Sequence, residues 1–257
     1  MTTNTNEIKI VKVDKENVAE YGFYCIKDKK SAAYKAKLHW FTSAENTDIG
    51  IFIALDSNQN QLGFIEFSSS EKSWRPVIAE NYLFINCIVV ISKESRNKGI
   101  ASLLINACEQ EAVLQHKDGI FTFCSEGVWL AGASLFLKNG FYSLGKKDRF
   151  DLMVKKMNPN ASDPKFADWS KNLDEYTGWN LVFSNQCPWH IKSVTDLQQA
   201  AAEKGIELKI TQINSSVDVL KSPSGYGTFS LVKDGKLLED HYLSKTRFLN
   251  ILNKELK

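Results

Sequence analysis

Short apolar runs and polar turns alternate along the chain in a pattern that assigns most of its elements. Ile8 to Val13 (IKIVKV) alternates apolar and polar positions as a half-buried strand does. Val18 to Phe41 carries apolar residues at mixed helical spacing around the polar Lys27 to Ser31, which predicts two short helices joined by a loop. Ile49 to Asp56 and Gln61 to Ser69 flank Ser57-Asn58-Gln59-Asn60, a polar cluster of hairpin length, and predict an antiparallel pair. Asn81 to Ile91 (NYLFINCIVVI) is the strongest strand signal, too rich in β-branched and aromatic residues for a surface helix. Directly after it Ile100, Leu103, Leu104, Ala107, Cys108, Glu111 and Leu114 recur at helical spacing. Gly119 to Cys124 reads as a short strand, Val128 to Lys138 as a short helix, and Phe141 to Leu144 and Phe150 to Lys155 as two closing strands.

The periodic segments are then interrupted. Met157 to Ser170 (MNPNASDPKFADWS) is polar and carries Asn158-Pro159 and Asp163-Pro164, turn formers that oppose helix continuation. The expected organisation is a first domain over 1–157, a linker over 158–170 and a second domain over 171–257. In the second, Asn180 to Phe183 reads as a strand, followed by a helix through Ala202, a strand over Glu207 to Ile213 and a helical turn over Val217 to Lys221. Gly227 to Lys233 and Lys236 to Glu239 pair around Asp234-Gly235, and a last helix starts at Ser244.

Composition narrows the function. With 43% hydrophobic and 24% charged residues the chain matches an ordinary globular protein. Thirty-two basic against thirty acidic residues leave +2, too little for the electrostatic footprint of a dedicated nucleic-acid binder. No apolar stretch approaches membrane-spanning length, and Met1 to Glu7 lacks the features of a signal peptide, so the expected location is the cytoplasm. The five cysteines, at 25, 87, 108, 124 and 187, are widely separated, which argues against a disulfide framework or a four-ligand zinc site. Cys87, Cys108 and Cys124 lie in apolar runs and are expected to be small buried hydrophobes, and no metal site is expected.

The chemistry concentrates where the strongest strand meets the strongest helix. Arg96-Asn97-Lys98-Gly99-Ile100-Ala101 puts basic residues and a glycine at a helix N-terminus, where free N–H groups and the helix dipole favour an anion and glycine lets backbone approach it. Basic side chains there are electrostatically unfavourable without that anion. The segment matches neither the P-loop nor the dinucleotide-binding fingerprint.

It does resemble the pyrophosphate-binding signature of the GNAT family of N-acetyltransferases, [Arg/Gln]-x-x-Gly-x-[Gly/Ala], with Arg96, Gly99 and Ala101 in the defining places. Leu135 to Phe141 (LFLKNGF) is similar to that family's helix-ending "LYxKxGF", and the element order through residues 7 to 157 agrees. The resemblance implies an α/β (α+β) fold with a mixed, mostly antiparallel sheet, and acetyl-CoA as co-substrate. Arg96, Asn97, Lys98, Gly99, Ile100 and Ala101 would hold the pyrophosphate, and the strand end Val89, Val90 and Ile91 would offer backbone groups to the pantetheine arm. The implied reaction is direct attack of an amine, from a small molecule or a peptide, on the thioester.

That attack needs a neutral amine, a donor to the thioester oxygen and a proton for the leaving thiolate. The family's tyrosine proton donor aligns with Phe136, which has no proton to give, and the strand from Tyr82 to Ile91 lacks the carboxylate that some members carry there. Cys124, Glu126 and Tyr142 remain as catalytic candidates by position, beside Ser125. Glu66 could face an acceptor cleft, but a strand glutamate is expected to face solvent. Tyr34, Trp40 and Phe41 serve equally well as the wall of an acceptor pocket or as a core stripe.

The βαβαββα order of the second unit resembles the thioredoxin fold, with Cys187-Pro188-Trp189-His190 where that family carries C-x-x-C. A cysteine at a helix start has a lowered pKa, but His190 replaces the second cysteine and Gly227 falls at the family's cis-proline, so a dithiol oxidoreductase is disfavoured. The whole arrangement is similar to the YoaP-type acetyltransferases of bacteria. Two competing functions stay open: a CoA-binding regulatory protein without turnover, and a thiol- or metal-handling protein built on Cys187 and His190.

Overall fold

The computed structural model describes residues 8–90 and 98–256. Met1 to Glu7, Ile91, Arg96 and Asn97 therefore lie outside the described residues. The chain forms two compact units that interleave along the sequence. The first takes the residues up to Lys27, Thr47–Ser73 and Val77–Phe166; the second takes Asp28–Asn46, Trp74–Pro76 and the residues from Ala167 onward. No single boundary near residue 160 divides them. Within the expected linker, Lys165 and Phe166 are strand residues and Trp169 is buried.

In the first unit the described residues build β1 (Lys9–Val13), α1 (Val18–Tyr21), β2 (Gly50–Leu55), β3 (Gln61–Ser69), β4 (Val77–Ile78), β5 (Tyr82–Val89), α3 (Ile100–Leu114), β6 (Gly119–Cys124), α4 (Ala133–Lys138), β7 (Tyr142–Lys147), β8 (Phe150–Lys156) and β9 (Lys165–Phe166). The helix α2 (Ala32–Thr42) falls between α1 and β2 but packs in the second unit. Seven strands form one sheet in the order β1-β2-β3-β5-β6-β8-β7, and β4 pairs with β9. Only β5 and β6 run parallel; every other neighbouring pair in the large sheet is antiparallel.

Both faces of this sheet are apolar. On one, Ile65, Phe67, Ile85, Ile120 and Met153 pack with Leu104, Ile105 and Cys108 of α3 and with Phe136 of α4. On the other, Phe84 meets Phe121 edge-on at 4.9 Å and Phe123 at 5.8 Å. Aromatic pairs in this geometry add about 0.5–1.5 kcal/mol each beyond their burial. The helix expected over Val128 to Lys138 begins only at Ala133: Trp129 takes a left-handed φ of 70°, and Gly132 is the N-cap. One turn of apolar periodicity is thus loop, leaving Val128 and Trp129 exposed.

The second unit contains α2 and then β10 (Trp179–Ser184), α5 (Trp189–Glu203), β11 (Leu208–Ile213), α6 (Ser216–Val219), β12 (Phe229–Lys233), β13 (Lys236–Glu239) and α7 (Lys245–Glu255). Its sheet runs β11-β10-β12-β13, with β10 and β11 parallel and the other two pairs antiparallel. Leu181, Leu231, Phe229, Leu197 and Phe248 are its fully buried centre. Trp40 of α2 packs edge-on against Trp74 at 5.1 Å, and Asn46 joins them by accepting from Trp74 Nε1 at 3.1 Å and donating to the Trp40 carbonyl at 2.8 Å. No helix among the described residues is long and apolar enough to cross a membrane.

Candidate functional site

The large sheet opens at its centre. The ladder between β5 and β6 runs only from Tyr82 opposite Gly119 to Ile85 opposite Thr122. One residue on, β5 carries a bulge against β3: Ile85 opposes Phe67 and Cys87 opposes Glu66, so Asn86 is the extra residue. Beyond it β5 follows β3 to Val89, while β6 follows β8 to Cys124. The two parallel strands part, and burial falls from complete over Tyr82 to Asn86 to partial over Cys87 to Val89. Strand backbone at such a gap offers N–H and C=O groups to an extended ligand.

The N-terminus of α3 follows β5 at this gap. Gly99 is its N-cap, in the left-handed region at φ 78° and ψ 1°, and no side chain caps the helix. The first turn closes through Leu103 N–H to the Gly99 carbonyl at 3.0 Å. A Cβ on Gly99 would meet no described atom within 4 Å, and its left-handed φ is what calls for glycine. Of the expected pyrophosphate residues, the described ones, Lys98, Gly99, Ile100 and Ala101, stand at the start of α3, where backbone N–H groups and the helix dipole suit an anion. Val89 ends β5 and Val90 follows it, both half-buried.

Gly63 on β3 is a further residue of this site. A Cβ there would come within 2.9 Å of both the Val89 carbonyl oxygen and Val90 Cγ2, and 3.4 Å from Ile100 Cγ2. This glycine lets the end of β5 and the start of α3 lie against β3. An isolated glycine inside an alternating strand was the available signal.

The three catalytic candidates differ in setting. Cys124 is buried at the end of β6 among core residues, where burial foremost, with the charges of Asp151 and Glu126, pushes its thiol up to about 12. It is a neutral thiol at any physiological pH and no nucleophile. Glu126 is exposed and accepts from Ala133 N–H at 3.1 Å, which caps α4. Tyr142 lies on the edge strand β7 with 44% of its surface exposed. Ser125 is fixed as a structural hub, its Oγ accepting from Gly127 N–H at 3.1 Å and from Arg149 at 3.3 Å. Phe136 packs edge-on against Phe141 at 5.4 Å inside the core.

Two expectations about burial are corrected. Glu66 does not face solvent: it retains 1% exposure, in mid-strand beside the bulge. Cys87 is only half-buried, because it stands where β5 leaves its parallel neighbour.

In the second unit Cys187 is half-buried just before α5, whose N-cap is Pro188. Lys37 Nζ, itself buried, donates to the Gln186 carbonyl at 2.6 Å and lies 4.0 Å from the Trp40 ring centre. His190 is fully buried, with Nδ1 3.0 Å from the Ser184 carbonyl, which makes Nδ1 the donor, and Nε2 without a hydrogen-bond partner. Its ring packs 5.1 Å from that of Phe229. Burial foremost, helped by the charges of Arg75 and Lys37, lowers its pKa to about 3. His190 is therefore a neutral core histidine, and a surface Cys187–His190 pair does not form. No group of three or more His, Cys, Asp or Glu side chains among the described residues gathers as a metal cradle would. Gly227 has φ +75°, and a Cβ there would come within 2.9 Å of the Trp74 carbonyl oxygen. Tyr34, Trp40 and Phe41 are all buried in this unit.

The chain is similar to several known proteins. An uncharacterized N-acetyltransferase, YoaP, of Bacillus subtilis (strain 168) is 26% identical over 250 residues, covering 95% of this chain and 98% of its own. The PaiA N-acetyltransferase of Thermoplasma acidophilum, solved in complex with coenzyme A, is 18% identical over 58% of this chain and 98% of its own, with a TM-score of 0.42. A spermidine N-acetyltransferase of Vibrio cholerae is 14% identical over 59% of this chain and 95% of its own, with a TM-score of 0.41. The acetyltransferase (GNAT) family matches residues 10–141, just over half of the sequence, and the sheet that opens beside the α3 N-terminus lies in that span. The chain belongs to the acetyltransferase (GNAT) family.

Proposed function

We propose that the protein acetylates an amine by direct attack on acetyl-CoA bound at the gap between β5 and β6. Family membership carries the reaction class, acetyl transfer from acetyl-CoA to an amine. The observation that carries the placement is the parting of two parallel strands at Asn86 beside an uncapped helix start. In this reading the loop from Arg96 to Ala101 takes the pyrophosphate, and backbone groups from Val89 to Ile91 take the pantetheine amides. The acceptor is a small-molecule or peptide amine. Its neutral nitrogen attacks the thioester carbon, and the thiolate leaves with a proton from the nitrogen that has just acylated, since Phe136 has none to give.

The second unit is read as a thioredoxin-like module, supported by its βαβαββα order and its β11-β10-β12-β13 sheet. Its role is that of a scaffold or peptide-binding part, since His190 is buried and neutral. All five cysteines are free thiols, which suits the reducing cytoplasm.

Isothermal titration with acetyl-CoA and CoA tests the first half: binding is expected, and none by either ligand rejects the reading. CoA release across a panel of small amines and amino-terminal peptides tests the second. Phe136 and the absence of a carboxylate on β5 favour one rival, a CoA-binding protein without turnover. Release above the hydrolysis rate with any amine rejects that rival.

A further inference from the structure

Six described residues other than glycine take a positive φ, and five of them, Gln59, Asn81, His116, Asp148 and Asp234, are polar. The sixth is Trp129, at φ 70°. A bulky side chain is unfavourable in that region, where glycine sits without strain. The rest of the loop between β6 and α4 is tightly held. Ser125 N–H donates to the Ala131 carbonyl at 3.1 Å and closes the loop across its base. Arg149, from the turn between β7 and β8, donates from Nη1 to Ser125 Oγ at 3.3 Å and to the Val128 carbonyl at 3.2 Å. Its guanidinium also lies 4.7 Å from the Phe150 ring centre. The backbone is thus fixed up to the residue before Trp129, yet the tip is apolar and exposed: Val128 keeps 57% of its surface and Trp129 40%. Of the six tryptophans, Trp40, Trp74, Trp169 and Trp179 are buried, and only Trp189, in the other unit, is as exposed.

Strain kept in a rigid loop that shows an aromatic face to water points to a ligand for that face. The loop's place says which. It leaves the C-terminal end of β6, the strand that forms the wall of the gap opposite β5. In the acetyl-transfer reading β5 and the start of α3 hold CoA, so the β6 side is left to the acceptor. Resting on that reading, we propose that Trp129 determines acceptor specificity: its ring stacks on the body of the acceptor, and the amines selected carry a flat aromatic group. An aromatic ring gains on an indole face both by the area removed from water and by offset or edge contact between the rings. A polycation is disfavoured there. The Arg149 guanidinium, bonded to the carbonyl next to Trp129, opposes a second positive charge over the indole.

The test uses the full-length protein and two arms of the amine panel, arylalkylamines (2-phenylethylamine, tryptamine) and alkylamines (butylamine, putrescine). Wild type is expected to favour the first arm in kcat/KM by about tenfold or more, the effect of burying one ring face. Trp129→Gly, which the left-handed backbone accommodates, should bind CoA like wild type by titration while that preference falls to about twofold or less. Trp129→Phe keeps a ring and should retain most of the preference. A purely structural role predicts equal losses on both arms and an unchanged ratio. Wild type that favours alkylamines or neither arm, or Trp129→Gly with an unchanged ratio or weakened CoA binding, overturns the proposal. Should Trp129→Gly fail to fold, Trp129→Phe and Trp129→Leu decide: a preference retained in the first and lost in the second is expected, and equal ratios overturn it. If wild type neither binds CoA nor releases it with any amine, the acetyl-transfer reading falls first, and Trp129 is not what failed.

Discussion

Two junctions in this chain have the same outline and opposite character. In each, a strand is followed along the chain by a fifteen-residue helix: β5 by α3, and β10 by α5. The first starts on a left-handed glycine, at which an added Cβ would meet no described atom within 4 Å. The second starts on Pro188, with the preceding Gln186 carbonyl already taken by Lys37 and the third residue after Cys187 locked as a buried imidazole. A helix dipole is present at both. Among the described residues the two starts differ in what stands at them: a carbonyl bonded by Lys37 and a buried imidazole at α5, a left-handed glycine at α3.

The largest expected effect sharpens the first junction. Gly99→Glu forces a side chain into the left-handed region, at a cost of about 1–2 kcal/mol, and sets a carboxylate where the phosphates are expected. Titration should find CoA affinity at least about a hundredfold weaker, about 2.7 kcal/mol, with the fold retained because no described atom lies within 4 Å of the new Cβ. Wild-type affinity in this variant would erase the contrast between the two helix starts.

The next effect probes the second junction through pH. His190 titrates near 3 in the folded chain against an ordinary value of 6.5, so between those values the unfolded chain binds a proton that the folded chain does not. Stability present above pH 6.5 is therefore lost as pH falls toward 3, by on the order of 1.4 kcal/mol per unit for this group. Urea denaturation of wild type and His190→Leu at pH 7 and pH 4.5 should show a smaller pH loss in the variant. The variant should also start about 1–2 kcal/mol lower at pH 7, because the Ser184 carbonyl loses its donor. Equal pH losses would mean that the imidazole is not held neutral by burial.

The smallest effect concerns a third junction, β6 into α4, which lies between the two extremes because a side chain from the loop serves as its cap. Glu126→Ala removes the acceptor for Ala133 N–H and should cost about 1 kcal/mol by thermal or chemical denaturation. Acetylation of the preferred amine should change less than threefold. A loss of activity without a loss of stability would return Glu126 to the catalytic candidates.

Much of this was legible in the residues. Tyr82 to Val89 could only be a central strand, and Ile100 to Leu114 declares its helix by spacing. Gly99 was legible because a helix start beside basic residues needs an anion, and because only glycine takes its φ without strain. Other features were not, for definite reasons. The Val128 to Lys138 helix was read one turn too long because periodicity does not register the left-handed turn at Trp129. Glu66 was assigned to solvent because local sequence says which side chains alternate, not whether both faces of the sheet are covered. His190 was paired with Cys187 because they are neighbours in a four-residue motif, whereas the first turn of α5 carries the imidazole inward to the Ser184 carbonyl.

By itself the sequence determined the elements, their order and the anion-seeking turn, because apolar period, glycine and charge act over a few residues. Only the tertiary structure decided where β5 and β6 part, which carboxylate is buried at that point, and that Asp28–Asn46 and Trp74–Pro76 pack in the second unit. Those are outcomes of register and of which apolar faces find each other across long stretches of chain, and no local pattern encodes them.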